Sequence, residues 1–361
     1  MKKKLLYGFL LILTLLLVFS PETSIFYAKE ALSLCENVII PSLFPFFVCS
    51  GLLIYSGFSE NLANFSKPVM RPLFNVNPAG ASAFILGILS GYPLGALTAC
   101  QLYEKSYISK TEAERLLSFC NNSGPLFIMG AVGVSLYHSP KAGLILYICH
   151  ILSAFLTGML FKYYKKDDYM PPVLIPKTES ATFPKIFKTV LTNSIESMLT
   201  VCGAVLFFAT ISGVLINLFP ISDILRNILS GLAEFSSGIS NISKSSLSII
   251  EKLTISSFIV GFAGFSVHVQ VASIVSSYGL SLFPYILGKT IQGFLSAILV
   301  FLTLKFLPCE VSVFSPLEVE ISGAFFIASL FTIIAVLSVL FTMLLSIIYL
   351  LFKKKQNKNE A

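Results

Sequence analysis

Apolar runs close to twenty residues long recur along the chain with short polar segments between them, and within the runs apolar and polar residues do not alternate. About twenty apolar residues are needed for a helix to cross ~30 Å of hydrocarbon, whereas strands of a membrane barrel would alternate over about ten residues. The pattern predicts spans at 5–19, 31–54, 116–137, 142–161, 190–218, 253–275, 282–304 and 323–352. Two further stretches, 80–103 and the shorter Ser/Gly-rich 228–242, read as re-entrant hairpins. The expected fold is an all-α polytopic membrane protein with about eight transmembrane helices plus re-entrant hairpins. The basic start Lys2-Lys3-Lys4 and the run behind it also fit a signal peptide, but Pro21 directly after Ser20 is a poor cleavage context, so an uncleaved first span is expected.

The elements repeat. A long span, a Gly/Ser-rich hairpin, an interrupted span and an unbroken span follow one another at 31–54, 80–103, 116–137 and 142–161, and again at 190–218, 228–242, 253–275 and 282–304. The organisation read from this is an N-terminal anchor span (1–23), a first repeat (24–164), a cytoplasmic linker (165–188), a second repeat (189–307), and an external loop, last helix and basic tail (308–361).

Composition agrees: 55% of the residues are hydrophobic and 12% charged, about half the charged share of a soluble domain. The net charge of +7 lies at span ends rather than in a patch suited to nucleic acid. With 80–103 as a re-entrant hairpin, the segments assigned to the cytoplasm hold 18 of the 25 Lys and Arg, and both termini are cytoplasmic. The connector 308–322 then falls outside with Glu310, Glu318 and Glu320 and no basic residue. In this topology the second repeat is inverted relative to the first. Inverted repeats with broken helices characterise many secondary transporters, whose substrate lies where the helices break. Seven scattered cysteines without a C-x-x-C pair, and three histidines, support neither a disulfide framework nor a metal site. No activated nucleophile or P-loop is present, so neither an enzyme nor a cofactor is expected.

Breaking a helix in lipid strands backbone polar groups, so the breaks locate the candidate site. Gly91-Tyr92-Pro93 provides one, with Gly87, Gly91 and Gly95 forming a small-residue face; the alternative is a tightly packed kink. Asn121-Asn122-Ser123-Gly124-Pro125, just after Ser118, provides another, where a helix N-terminus and two carboxamides would suit an anion. Lys289, with Gln292 one turn on, would neutralise a substrate or else snorkel to the interface. Glu36, with Asn37, precedes an expected break at Pro41 and would line an outer entrance. Glu196, near the start of 190–218, is a candidate coupling-proton carrier, and His268, with Gln270, follows the Gly261–Gly264 break. His150 lies mid-span, as a proton relay or a hydrogen-bonded neutral side chain.

The stretches Asn37-Val38-Ile39-Ile40-Pro41-Ser42-Leu43-Phe44-Pro45-Phe46-Phe47, Ser90-Gly91-Tyr92-Pro93-Leu94-Gly95-Ala96 and Ser118-Phe119-Cys120-Asn121-Asn122-Ser123-Gly124-Pro125-Leu126-Phe127, with Glu112-Ala113-Glu114-Arg115 ahead of the third, resemble the YlbJ/SpoVV-type sporulation integral membrane proteins. The resemblance covers roughly residues 25 to 310. It implies a gate, or nucleoside-recognition, domain and an association with movement of dipicolinate across the membrane around the developing spore. The implied location is the mother-cell-derived outer forespore membrane. Dipicolinate is a small planar dianion, and helix N-termini, paired carboxamides and a lysine suit its carboxylates. A carrier of nucleosides or another solute, and a scaffold for other sporulation membrane proteins, remain open beside it; a homo-oligomer is a further expected partner arrangement.

Overall fold

The computed structural model describes residues 2–55, 69–165 and 182–306, and every regular element among them is helical. The predicted last span, external loop and basic tail, and most of the 165–188 linker, lie outside the described residues. Helix α1 (Lys2–Phe19) is followed at Ser20 by α2 (Pro21–Leu34), which runs through a π-helical segment, π1 (Cys35–Ile39), into α3 (Ile40–Tyr55). The expected break at Pro41 is therefore a widened turn inside a continuous helix. Proline removes a backbone donor, and the Ser42 hydroxyl next to it donates to the carbonyls of Val38 at 2.6 Å and Ile39 at 3.1 Å.

A short helix, α4 (69–74), leads through a 3₁₀ turn (Pro78–Gly80) into α5 (Ala81–Ser90) and α6 (Leu94–Glu104). These two limbs of 10 and 11 residues are each about 15 Å long at 1.5 Å per residue, half a membrane's hydrocarbon thickness. They form the predicted hairpin, turning at Gly91 with φ +80, a conformation that glycine adopts without a Cβ clash. Helix α7 (Lys110–Leu117) opens with a capping box between Ser109 and Glu112. An extended segment at 121–124 then interrupts the chain before the π-helical π2 (Leu126–Leu136) and the unbroken α8 (Pro140–Phe161).

The second half repeats the order. Helix α9 (Phe183–Asn217) starts seven positions before the predicted span, taking the end of the expected linker into the helix. The hairpin is α10 (Asp223–Ala233) and α11 (Phe235–Lys244), longer than the weakly apolar stretch suggested. Helices α12 (Ile249–Phe262) and α13 (Gly264–Ser277) are separated at Ala263, which takes the left-handed conformation at φ 77, and α14 (Phe283–Phe306) is unbroken. Five helices among the described residues are long and apolar enough to cross a membrane: Pro21–Cys49, Pro140–Phe161, Phe183–Asn217, Ile249–Ser277 and Phe283–Phe306. Leu10–Phe19, Pro78–Ser90 and Leu126–Leu136 are shorter apolar helices.

Packing falls into two groups: α9 lies along α2 and α3, while α14 packs on α8 and α12, and α8 on π2. Outward faces are apolar, as on α9 at Leu199 and Phe207 and on α14 at Phe294 and Ile298. The interior is polar where the helices break. Asn121, Asn122, Lys289, Gln292 and Glu234 all have no exposed surface, the inverse of a soluble protein's pattern and the arrangement that a lipid solvent demands.

Candidate functional site

The first break is held together by side chains that supply what the interrupted helix loses. At the end of α7 the carbonyls face no next turn. Ser118 Oγ donates to the Arg115 carbonyl at 2.7 Å, and Asn122 Nδ2 to the Phe119 carbonyl at 2.8 Å. Lys289 Nζ, from α14, donates to the Asn121 carbonyl at 3.1 Å, in the non-helical segment that follows α7. On the far side of the break, the Ser123 N–H donates to His150 Nε2 at 3.2 Å. This bond fixes the tautomer: Nε2 accepts, so Nδ1 carries the proton of a neutral ring. Gln292 completes the network, accepting from Lys289 at 2.8 Å and donating to Asn122 Oδ1 at 2.8 Å and to the His150 carbonyl at 3.5 Å.

Close backbone approach brings the α5–α6 hairpin onto this break. A Cβ on Gly87 or Gly95 would meet the Cys120 carbonyl oxygen at 1.6 or 2.1 Å, so both positions admit only glycine. At the turn, Gly91 lies against the Gly124 backbone, 2.9 Å from its nitrogen to a Cβ built on Gly91. The Tyr92 hydroxyl donates to the Val260 carbonyl at 2.9 Å, one turn before the second break, and its ring carries the Lys289 ammonium 5.4 Å from the centroid.

The second half builds the same contact. The α10–α11 hairpin turns at Glu234, whose carboxylate caps α11 by accepting from the N–H groups of Ser236 at 3.1 Å and Ser237 at 2.7 Å. Its tip meets the start of α13: a Cβ on Gly264 would lie 3.0 Å from the Phe235 nitrogen and 3.3 Å from the Gly231 carbonyl. His268 Nδ1 donates to the Gly264 carbonyl at 2.7 Å, and its ring packs 5.1 Å from that of Tyr285. In each half, then, a hairpin tip docks on the break of the helix that follows it.

Between the two tips lies a small cavity of ≈ 40 Å³, bordered by Ser90, Gly91, Tyr92, Ser123, Gly124, Phe127, Glu234, Phe235, Ser266 and Gln270, with Phe46, Phe47 and Val205 also on its lining. That volume holds a few waters. A wider cavity of ≈ 660 Å³ opens on the other side of the second hairpin, bordered by Tyr27, Glu30, Asn37, Arg226, Ser237, Asn241 and Lys244. Among the described residues no group of three or more His, Cys, Asp or Glu is placed to hold a metal ion.

Of the residues singled out in the sequence, Gly91, Tyr92, Ser123 and Gly124 border the small cavity. Ser118, Asn121, Asn122, Lys289, Gln292 and His150 are brought together behind it, fully or almost fully buried. Lys289 does not snorkel, since its ammonium is bonded inside the protein. Pro93 follows a cis peptide bond and starts α6. His268 is buried beside the second break and Gln270 borders the cavity, whereas Glu36 and Glu196 are exposed on π1 and α9 and border neither cavity. Asn37 borders the wide one. Sequence reasoning missed Glu234 and Tyr285. The signal for Glu234 was a lone carboxylate between the small residues of Gly231-Leu232-Ala233 and Ser236-Ser237-Gly238, since an ionisable residue within an apolar stretch is functional by default.

Comparison with known proteins places these features. The family model described as "Gate: Nucleoside recognition" matches residues 38–160, which contain the first hairpin and first break. Among solved structures the fold is similar to that of CNTnw in an inward-facing, substrate-bound state, a concentrative nucleoside transporter, with a TM-score of 0.51, 13% identity and 76% of each chain covered. The sporulation integral membrane protein YlbJ of Bacillus subtilis (strain 168) is 31% identical over 337 residues, 83% of this chain and 82% of that protein. With identity and coverage at that level, the chain belongs to the YlbJ family of sporulation integral membrane proteins.

Proposed function

We propose that the chain is a secondary carrier for a small organic anion, with dipicolinate as its solute, working in the membrane around the forespore. The observation that carries this reading is the pairing of each hairpin tip with a broken helix around one buried cavity. Such meeting points of half-helices at mid-membrane are where carriers hold substrate, with free N–H groups and positive helix ends available to carboxylates. Lys289, one layer behind Tyr92, places a basic side chain next to the site. The second repeat is read as the inverted partner of the first, and both termini as cytoplasmic. At ≈ 40 Å³ the cavity is too small for a planar dianion, so solute binding requires the two hairpin tips to part.

The nucleoside-recognition match favours a second reading, a carrier of nucleosides. Thermal unfolding of the detergent-solubilised protein separates the two, because a ligand that binds only the folded state raises Tm by mass action. Stabilisation by dipicolinate and not by uridine or adenosine is expected. Stabilisation by a nucleoside alone would replace the anion with that solute, and stabilisation by neither would favour a scaffold for spore assembly.

A further inference from the structure

The central cavity carries a charge that an anion site should not tolerate. Glu234 has no exposed surface, borders the cavity from the second hairpin tip, and its carboxylate accepts from the N–H groups of Ser236 and Ser237 in its own turn. No basic side chain of the described residues forms an ion pair with it. A dianion placed between the hairpin tips would lie beside this carboxylate in a medium where like charges repel strongly. Lys289 stands behind Tyr92, outside the cavity lining, with its amine bonded to Asn121 and Gln292.

The titratable groups around Glu234 offer no relief. From the first hairpin Tyr92 faces the same cavity; Cys35 of π1 lies close by, with Cys202 of α9 beside it. His268 of α13 donates to the Gly264 carbonyl, and His150 of α8 is tied to Ser123 as a neutral ring. The route to Glu234 is short on its other side. Ser237, whose N–H the carboxylate accepts, borders the wide polar cavity, so the hairpin tip stands between that cavity and the central one.

We infer that Glu234 is the coupling-proton site of this carrier: the anion and a proton on the Glu234 carboxylate load together, and the proton crosses with the solute. The inference rests on the anion-carrier reading above. The carboxylate takes the proton from solvent on the loading side, becomes a neutral carboxylic acid while the anion is bound, and returns the proton on the side of release. Coupling so placed makes the proton gradient the driving force, and gives the site a net charge change of +1 at the moment when an anion arrives.

Calorimetric titration of the full-length protein with dipicolinate tests this, in buffers of different ionisation enthalpy and above about pH 6, where ordinary carboxylates are already ionised. The wild type is expected to take up close to one proton per anion bound, with affinity rising as pH falls by up to about tenfold per unit. Glu234→Gln and Glu234→Ser both keep a capping oxygen for α11 without a titratable group. Each is expected to bind the anion with no proton uptake and no pH dependence. Proton uptake that persists in both variants, anion binding in the wild type without proton uptake, or a requirement for sodium in its place would overturn the inference while leaving an anion carrier. Loss of anion binding in variants that melt like the wild type would also overturn it, making Glu234 a ligand. A wild type that binds no dipicolinate at any pH would remove the carrier reading and the inference together.

Discussion

The Lys289 ammonium lies 3.1 Å from the Asn121 carbonyl oxygen, joining residues 168 positions apart in chain order. It links α14, near the end of the second repeat, to the broken helix of the first, and it ties down the segment that follows α7. A buried lysine thus supports the break from behind instead of projecting into the cavity.

Replacing Lys289 by Met should therefore damage the fold as well as transport. The Asn121 carbonyl and the Gln292 side chain would each lose a donor in a site with no exposed surface, at about 1–3 kcal/mol per unsatisfied group. Melting of the purified variant should fall well below wild type. Lys289→Arg should not rescue it, because a planar guanidinium cannot reproduce the ammonium's geometry in a site with no exposed surface.

The two adjacent asparagines should behave differently. Asn122 both donates and accepts, to Phe119 and from Gln292, whereas the Asn121 carboxamide lies beside the Tyr285 hydroxyl without a hydrogen bond of its own. Asn122→Ala is expected to cost about 1–3 kcal/mol, and Asn121→Ala little. Paired melting curves of the two variants check this, and equal losses would contradict it.

Gly87→Ala should prevent assembly, since the new methyl carbon would overlap the Cys120 carbonyl, a backbone atom fixed by the break. Gly203→Ala on α9, where nothing lies within 4 Å, is the control and should insert normally. The yield of monodisperse protein by size-exclusion chromatography separates the two outcomes.

At the polar end of α7, Glu114 accepts from Lys165 Nζ at 3.0 Å, Tyr164 Oη at 3.0 Å and the Ser281 N–H at 3.1 Å. Burial raises its carboxyl, but these three donors and the Lys165 charge outweigh burial and hold it below its ordinary value. A carboxyl depressed in the folded state contributes stability that is complete above its unfolded value and is lost as pH falls through the folded one. Stability should accordingly drop under acid below about pH 4, and Glu114→Gln should be less stable at neutral pH with a shallower acid loss. Melting temperatures measured from neutral to acid pH provide the check.

Much of this architecture was legible in the sequence because lipid makes a few rules strict. The hairpin at 80–103 and the break at Asn121–Pro125 were visible as glycine, proline and carboxamides inside apolar runs, where stranded backbone groups demand a purpose. Pro41 looked like the same signal and was not one, since the π segment at Cys35–Ile39 runs directly into the helix that holds it. The second hairpin was foreshortened because its outer ends, around Asp223 to Arg226 and Asn241 to Lys244, are polar and border the wide cavity. Which polar residues face solute and which brace the breaks could not be read from spacing. Lys289 and Asn122 meet only through the packing of α14 on the first half, and Glu234 emerged only once the hairpin turn was located.

The central claim, that the chain carries an organic anion, is tested most directly by dipicolinate influx into proteoliposomes holding trapped terbium. The wild type should give saturable luminescence, and Gly124→Ala should weaken it. A Cβ at Gly124 meets its nearest neighbour at an ordinary 3.6 Å, so this variant narrows the cavity it borders without a backbone clash. Absence of luminescence from inserted wild-type protein, with and without a proton gradient, would contradict the account.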